Sequence, residues 1–394
     1  MSSQVFRRGL ALKAEVADAL AADYHSRLVA DIKANQYLFR SGRLRVYLAR
    51  EFGFCYGVDR AVDYAYQASR RFPDRRIVLT GEIIHNPHVN QRLRDLGVQF
   101  LTDPGQSVEG LGPDDVVILP AFGVTTELLG RLESRQCTLV DTTCGSVLNV
   151  WKNVRRYAQD GFTSVIHGKY YHEETRATAS QALRYPGGHY LVVRDRAETG
   201  LVSEFIRRGG NDRALLERFD GAVSPGFVPS RDLGRIGLAN QTTMLASESI
   251  EVGEMLRAAV RDRYGDAELD RRFRAFDTIC SATQDRQDAV MDLLDGPPLD
   301  LVVVIGGYNS SNTANLARIC SGRLPTFHVA DASCLVSPDE IHHRPVGGQA
   351  EAAARGWLPQ TGEISVGLTA GASTPDVIVG EVVERLARFA AGPS

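Results

Sequence analysis

The 394-residue chain balances 45 Lys and Arg against 48 Asp and Glu, for a net charge of −3, with 43% hydrophobic and 24% charged residues. That is the composition of a globular protein of roughly two or three domains, without the positive field that nucleic acid or an anionic membrane would select. No apolar run approaches the ~18 residues of a membrane span. The basic residues of Met1 to Gly9 lead into no apolar segment, so no signal peptide is expected. Six cysteines are too few for a disulfide scaffold in a chain this long and point to a reducing, cytoplasmic compartment.

Leu10, Ala11, Val16, Ala19, Leu20, Tyr24, Leu28 and Ile32 recur at three- and four-residue intervals, predicting an amphipathic helical arm over residues 10–36. From Leu44 the pattern becomes strand, turn, helix. Leu44 to Leu48 leads into Gly53-Phe54-Cys55-Tyr56-Gly57 and a helix from Ala61. Arg76 to Thr80 leads into a turn at His85-Asn86-Pro87, and Val116 to Leu119 into Pro120-Ala121-Phe122-Gly123. The order then restarts. Thr138 to Val140 meets Thr142-Thr143-Cys144, Thr163 to Ile166 meets the loop carrying His172 and Glu174, and Arg235 to Leu238 meets Asn240-Gln241-Thr242-Thr243. A third round opens at Phe276 to Cys280 and continues with Leu299 to Ile305 before Asn309-Ser310-Ser311-Asn312. It ends with Ile364 to Leu368 before Thr369-Ala370-Gly371-Ala372-Ser373 and a final helix from Asp376.

The second turn of each round follows its cysteine at similar distances: His85 by 30 residues, His172 by 28 and Ser310 by 30. Such a repeat predicts an α/β fold of three pseudo-symmetric lobes with small parallel sheets, over residues 44–143, 144–275 and 276–394, preceded by the arm over 1–43. Residues 209–234 and 337–362, containing Gly and Pro, are expected as insertions. If the lobes surround a pseudo-three-fold axis, Cys55, Cys144 and Cys280 converge.

Cysteines on equivalent turns, far apart in sequence, lack the paired spacing of zinc ribbons and the clustered run of ferredoxins. Three such thiolates can hold three corners of a 4Fe-4S cubane and leave one iron open; the alternative is three small buried hydrophobes. Cys137, Cys320 and Cys334 have no counterparts in the repeat and read as that alternative. His85, His172, Thr242, Thr243, Asn309 to Asn312 and Ser373 all fall at strand-to-helix turns, where helix N-termini offer N–H groups to an anion. Singly, the Ser, Thr and Asn residues are also ordinary helix caps. Glu174 is either a first-turn acid favoured by the helix dipole or, beside a cluster and an anion, a proton donor.

Phe52-Gly53-Phe54-Cys55-Tyr56-Gly57-Val58-Asp59-Arg60-Ala61, with His85-Asn86-Pro87, Asp141-Thr142-Thr143-Cys144, His172-Glu173-Glu174-Thr175, Asn240-Gln241-Thr242-Thr243, Asn309-Ser310-Ser311-Asn312 and Thr369-Ala370-Gly371-Ala372-Ser373-Thr374-Pro375-Asp376, closely resembles the LytB/IspH family of 4-hydroxy-3-methylbut-2-enyl diphosphate reductases. The likeness runs from about residue 44 to the C-terminus; the arm and the 209–234 insertion resemble the longer branch of plants and cyanobacteria. It implies reductive dehydroxylation of that allylic diphosphate to isopentenyl and dimethylallyl diphosphates, the last step of the methylerythritol phosphate route. It further implies a central 4Fe-4S cluster on Cys55, Cys144 and Cys280, with the substrate oxygen at the open iron. Glu174, His172 and Thr242 would be catalytic, Glu174 as proton relay and Thr242 beside the substrate hydroxyl. His85, His172, Thr242, Ser310, Ser311, Asn312 and Ser373 would bind substrate, and ferredoxin or flavodoxin would supply electrons. Phe122 stands where many bacterial members carry histidine, which implies a branch difference with Phe122 contributing shape. A non-catalytic cluster- or phosphometabolite-binding protein on the same fold is the second reading, and a zinc hydrolase a third.

Overall fold

The structure, a computed structural model, describes residues 4–276 and 279–391. The chain divides into two compact units: Met1–Val5 with Leu101–Cys280, and Phe6–Phe100 with Ser281–Ser394.

The first unit is built on a four-stranded sheet in the order Phe273–Ala275, Ile236–Asn240, Thr163–His167, Tyr190–Val193, parallel throughout. Thr163–His167 and Ile236–Asn240 are buried along their whole length because helices cover both faces, whereas the edge strand Phe273–Ala275 is partly exposed. Val202, Phe205 and Ile206 of the helix Arg196–Arg208 pack with Val252, Leu256 and Val260 of the helix Ala246–Tyr264 against Val165, Leu191 and Leu238. Tyr157, fully buried on the helix Gly145–Gln159, donates its hydroxyl to Leu238 O at 2.8 Å. Gly237 makes room for that ring, since a Cβ there would stand 2.5 Å from it. A second parallel pair, Val116–Leu119 with Thr138–Asp141, carries the chain to Cys144.

The second unit holds a five-stranded sheet in the order Thr326–Val329, Leu301–Ile305, Ile364–Ala370, Leu44–Leu48, Leu38–Ser41, parallel except for the last strand. Alternation in the strand Leu301–Ile305 assigns the two faces of the sheet: Leu301, Val303 and Ile305 meet Val379, Val382 and Val383 of the helix Asp376–Ala391, while Val302 and Val304 meet Val290 and Leu316. Ile77–Leu79 pairs in parallel with Gln99–Phe100.

The α/β class and the repeated strand-turn-helix order are as expected, and Leu44–Leu48 and Val116–Leu119 have the expected bounds. The differences are local and have physical causes. The arm is two helices, Lys13–Tyr24 and Arg27–Ala34, because His25 is extended and the Ser26 hydroxyl accepts the Val29 N–H at 3.3 Å to start the second. Leu38–Ser41 then turns back as a strand antiparallel to Leu44–Leu48. Leu44–Leu48, first strand of the first round, completes the sheet of the third round, with Ile364 opposite Leu44 and Leu368 opposite Leu48. The 209–234 segment contains two short helices, Asp212–Arg218 and Pro229–Asp232, and the 337–362 segment contains a hairpin, Glu340–His343 with Ala352–Arg355. Of the expected third-round opening, Asp277 and Thr278 lie outside the described residues.

One buried base couples this sheet to pH. His328 is 3% exposed, its Nε2–H donates to Gly306 O at 3.0 Å, and burial, reinforced by Arg344 and His343, pushes its pKa down from 6.5 to about 4. The unfolded chain therefore takes up this proton first as pH falls. The associated stability is complete above pH 6.5 and is lost as pH falls toward 4, about 2 kcal/mol by pH 4.5. His328→Gln is expected to shrink the difference between unfolding free energies at pH 7 and 4.5 by about that amount. An unchanged difference would assign the acid sensitivity to other groups.

Candidate functional site

In the first unit a single run of contacts joins five of the expected residues. Cys144 occupies the N-cap of the helix Gly145–Gln159, and its N–H donates to Ala121 O at 2.8 Å. The next residue, Phe122, meets the His172 ring edge-on, with centroids 6.2 Å apart and planes at 75°. His172 caps the helix Glu173–Ala182: its Nδ1 accepts the Glu174 N–H at 3.2 Å. With Nδ1 as acceptor, the neutral ring carries its proton on Nε2, which makes that nitrogen a donor. The Glu174 carboxylate is 3% exposed, and its Oε1 accepts the Thr242 N–H at 2.6 Å. Thr242 O in turn accepts the Cys280 N–H at 3.4 Å.

Gln241 braces these turns. Its Oε1 accepts the Lys169 N–H at 3.1 Å and the Thr175 hydroxyl at 3.0 Å, and its Nε2 donates to the Thr243 hydroxyl at 2.9 Å. Gly168 sits so close beneath it that a Cβ would stand 2.9 Å from the Gln241 Cβ. His172 and Glu173 bring potential metal-ligand atoms within 4.8 Å of one another. With two thiols on neighbouring turns, this unit offers the imidazole, carboxylate and sulfur donors that metals take.

The second unit collects the remainder. Cys55 is the N-cap of the helix Tyr56–Arg71, and its N–H donates to Ala372 O at 3.2 Å. The Ala372 N–H donates at 2.9 Å to Asn312 Oδ1, which orients that amide and leaves Nδ2 buried with no partner. Ser373 Oγ donates to His85 O at 3.2 Å. His85 Nδ1 donates to Glu82 Oε2 at 2.8 Å. Ser310 caps the helix Ser311–Ser321, accepting the Thr313 N–H at 3.2 Å. Two glycines permit these approaches: a Cβ at Gly307 would stand 2.4 Å from His85 O, and one at Gly371 would stand 1.9 Å from Thr313 Oγ1.

Cys144, His172, Glu174, Thr242 and Cys280 thus lie together in one unit, and Cys55, His85, Ser310, Ser311, Asn312 and Ser373 in the other. Cys55, Cys144 and Cys280 are half-buried, whereas Cys137, Cys320 and Cys334 are buried. Burial pushes the Cys320 thiol up to about 12, as befits a small core residue. Three supporting residues escaped the sequence reading. In the sequence Gln241 stands only within a motif, Phe122 only as shape, and Gly307 is not singled out. Each acts through a neighbour distant in sequence, a relation that periodicity does not encode.

A family model described as LytB protein matches residues 46–387. The 4-hydroxy-3-methylbut-2-enyl diphosphate reductase of Gloeobacter violaceus is 49% identical over 98% of this chain and 92% of its own length. That of Synechococcus sp. (strain RCC307) is 48% identical over 99% and 95%. The solved structure of (E)-4-hydroxy-3-methyl-but-2-enyl diphosphate reductase, the terminal enzyme of the non-mevalonate pathway, superposes with a TM-score of 0.53 at 26% identity, covering 87% of this chain and 99% of that one. The Plasmodium falciparum E-1-hydroxy-2-methyl-but-2-enyl-4-diphosphate reductase shares the fold, with a TM-score of 0.62 at 19% identity over 86% of each chain. With relatives this similar along nearly the whole length and the motif turns assembled as described, the chain belongs to the LytB family.

Proposed function

We propose that this protein is an iron-sulfur oxidoreductase that converts 4-hydroxy-3-methylbut-2-enyl diphosphate to isopentenyl and dimethylallyl diphosphates. The observation that carries the reading is the buried Glu174 carboxylate, held by the Thr242 N–H and joined through Thr242 to the Cys280 turn. Binding alone calls for no such buried acid; removal of a hydroxyl as water does.

Cys55, Cys144 and Cys280 are the residues that would hold a 4Fe-4S cluster. They fit on chemical grounds: each precedes a helix, where anionic sulfur is favoured, and each stays half-buried while the other cysteines are buried. When bound with three cysteine ligands, the cluster supplies the electrons and one iron open to substrate. The protein supplies the rest. The Asn312 Nδ2, buried and without a partner, is a donor set for a diphosphate oxygen. Ser310 and Ser311 stand at the start of the helix Ser311–Ser321, whose N-terminal end and dipole favour the same anion. Ser373 and His85 complete this group, and His172 adds its Nε2–H.

The reduction consumes two electrons and two protons and releases water. Glu174 delivers a proton to the departing hydroxyl, and Thr242 keeps the carboxyl oriented. A ferredoxin or flavodoxin is the electron donor that suits this chemistry. Among the described residues no helix is long and apolar enough to cross a membrane; the sparing use of cysteine is what supports a cytoplasmic placement. The repeat reading extends to three lobes, 44–143, 144–275 and 276–394, grouped about the cluster.

Anaerobic purification followed by turnover with a chemical reductant tests the proposal. A brown protein that forms both products supports it; a colourless protein without iron and sulfide, or a brown one without turnover, would overturn it. The diphosphate group can be probed separately. Gly307→Ala places a methyl against His85 O, so KM should rise by about tenfold or more, with a smaller effect on kcat. Unchanged KM would remove the Gly307 approach from the binding site.

A further inference from the structure

Arg286 is a charged residue buried against the Cys55 turn. It lies on the helix Ser281–Asp295, which begins at the residue after Cys280, and it is 4% exposed. Its Nη1 donates to Ala282 O at 2.7 Å, in the first turn of its own helix. Its Nη2 donates to Gly53 O at 2.8 Å and Phe54 O at 3.2 Å, the two carbonyls immediately before Cys55. Its Nε is buried without a partner. Among the described residues every acceptor it meets is a main-chain carbonyl. Its charge acts on Asp59 across space, without a contact.

The Cys55 turn is therefore gripped from two sides. The end of the strand Ile364–Ala370 and the residues after it take its N–H groups, through Gly53 N–H to Ala370 O at 3.4 Å and Cys55 N–H to Ala372 O at 3.2 Å. Arg286 takes its carbonyls. Gly53 adopts φ +77°, which turns its carbonyl into that position, and a Cβ there would stand 3.0 Å from Asp376 Oδ1. Burying a guanidinium among neutral carbonyls is expensive, and an apolar side chain would fill the space at less cost. A charge kept under those conditions is favoured by an anion nearby, and Asp59 acts on it only across space, without a contact. A cluster on Cys55, the residue that follows those two carbonyls, is such an anion, since thiolate-ligated clusters are negative and their potentials respond to neighbouring charge.

We propose that Arg286 is a positioning residue for the iron-sulfur cluster: it clamps the Cys55 turn to the helix that follows Cys280, and its buried charge favours the cluster's reduced state. This rests on the function proposed above. The clamp follows from the fork geometry, which reaches carbonyls on two separate segments at once, as a compact ammonium cannot.

The test uses full-length Arg286→Met and Arg286→Lys, reconstituted anaerobically beside the wild type. Three properties are read: iron and sulfide per chain, the midpoint potential by EPR-monitored redox titration, and the rate of iron loss to a chelator. Arg286→Met should lower the reduced-to-oxidised ratio at fixed potential by about tenfold, or about 59 mV for one electron. Arg286→Lys should restore most of that potential yet lose iron several-fold faster than the wild type, because charge survives without the fork. If Arg286→Met takes up no iron while its apo form melts as the wild type does, the clamp is supported and Arg286→Lys decides the charge. A wild-type potential in Arg286→Met, or in its absence a shifted potential in Arg286→Lys, overturns the charge role. Iron loss from Arg286→Lys at the wild-type rate overturns the clamp. A wild type that binds no cluster would instead overturn the underlying function.

Discussion

Glu174→Gln is expected to lower kcat by about 10²- to 10⁴-fold, the range a positioned acid contributes, while leaving iron content and substrate affinity near wild type. The substitution is nearly isosteric, and Gln Oε1 can still accept the Thr242 N–H that now reaches Glu174 at 2.6 Å. Packing in this 3% exposed position is thereby kept. What disappears is the transferable proton. Because the lost interaction belongs to the chemical step, kcat and kcat/KM should fall together. Near-normal turnover in the variant would end the assignment of Glu174 as the proton donor and return it to a first-turn helix acid.

Cys144→Ser is expected to abolish nearly all activity together with most of the bound iron. Serine is a better N-cap than cysteine, so the helix Gly145–Gln159 should keep its start and the apo protein its fold. Iron and sulfide per chain, visible absorption and apo-protein melting together check this. Cys320→Ala is the matching control. Cys320 is fully buried between Leu316 and the sheet, and its loss should cost about 1 kcal/mol of stability while iron and turnover stay. Full iron and turnover in Cys144→Ser, or iron lost in Cys320→Ala, would break the division between cluster-holding and core cysteines.

How much of this was legible in the chain depends on the range of the interaction. The apolar run Leu301–Ile305 and the alternating Leu44–Leu48 declare themselves because their burial follows the pattern of neighbouring residues. The turns after them are legible for the same reason, and so is the repetition of a cysteine before a helix. The break at Ser26 is also local, but the apolar spacing continues across it, so periodicity alone runs the two helices together. The strand Phe273–Ala275 is three residues long with Arg274 at its centre and none of them fully buried, and it pairs because Ile236–Leu238 lies alongside. Which sheet a strand joins is not written in the strand: Leu44–Leu48 takes its partner from Ile364–Leu368, more than three hundred residues on.

The α/β class, the order of strand, turn and helix, and the residues that stand in the turns follow from hydrophobic period and from Gly, Pro and cap chemistry within a few residues. What those residues can do follows from their partners in the folded chain. Folding set the Asn312 amide by giving its oxygen to Ala372 N–H, set the His172 tautomer by giving its Nδ1 to Glu174 N–H, and buried Arg286 on the carbonyls before Cys55. Orientation and protonation are fixed by partners, and for Asn312 and Arg286 those partners arrive from distant parts of the chain.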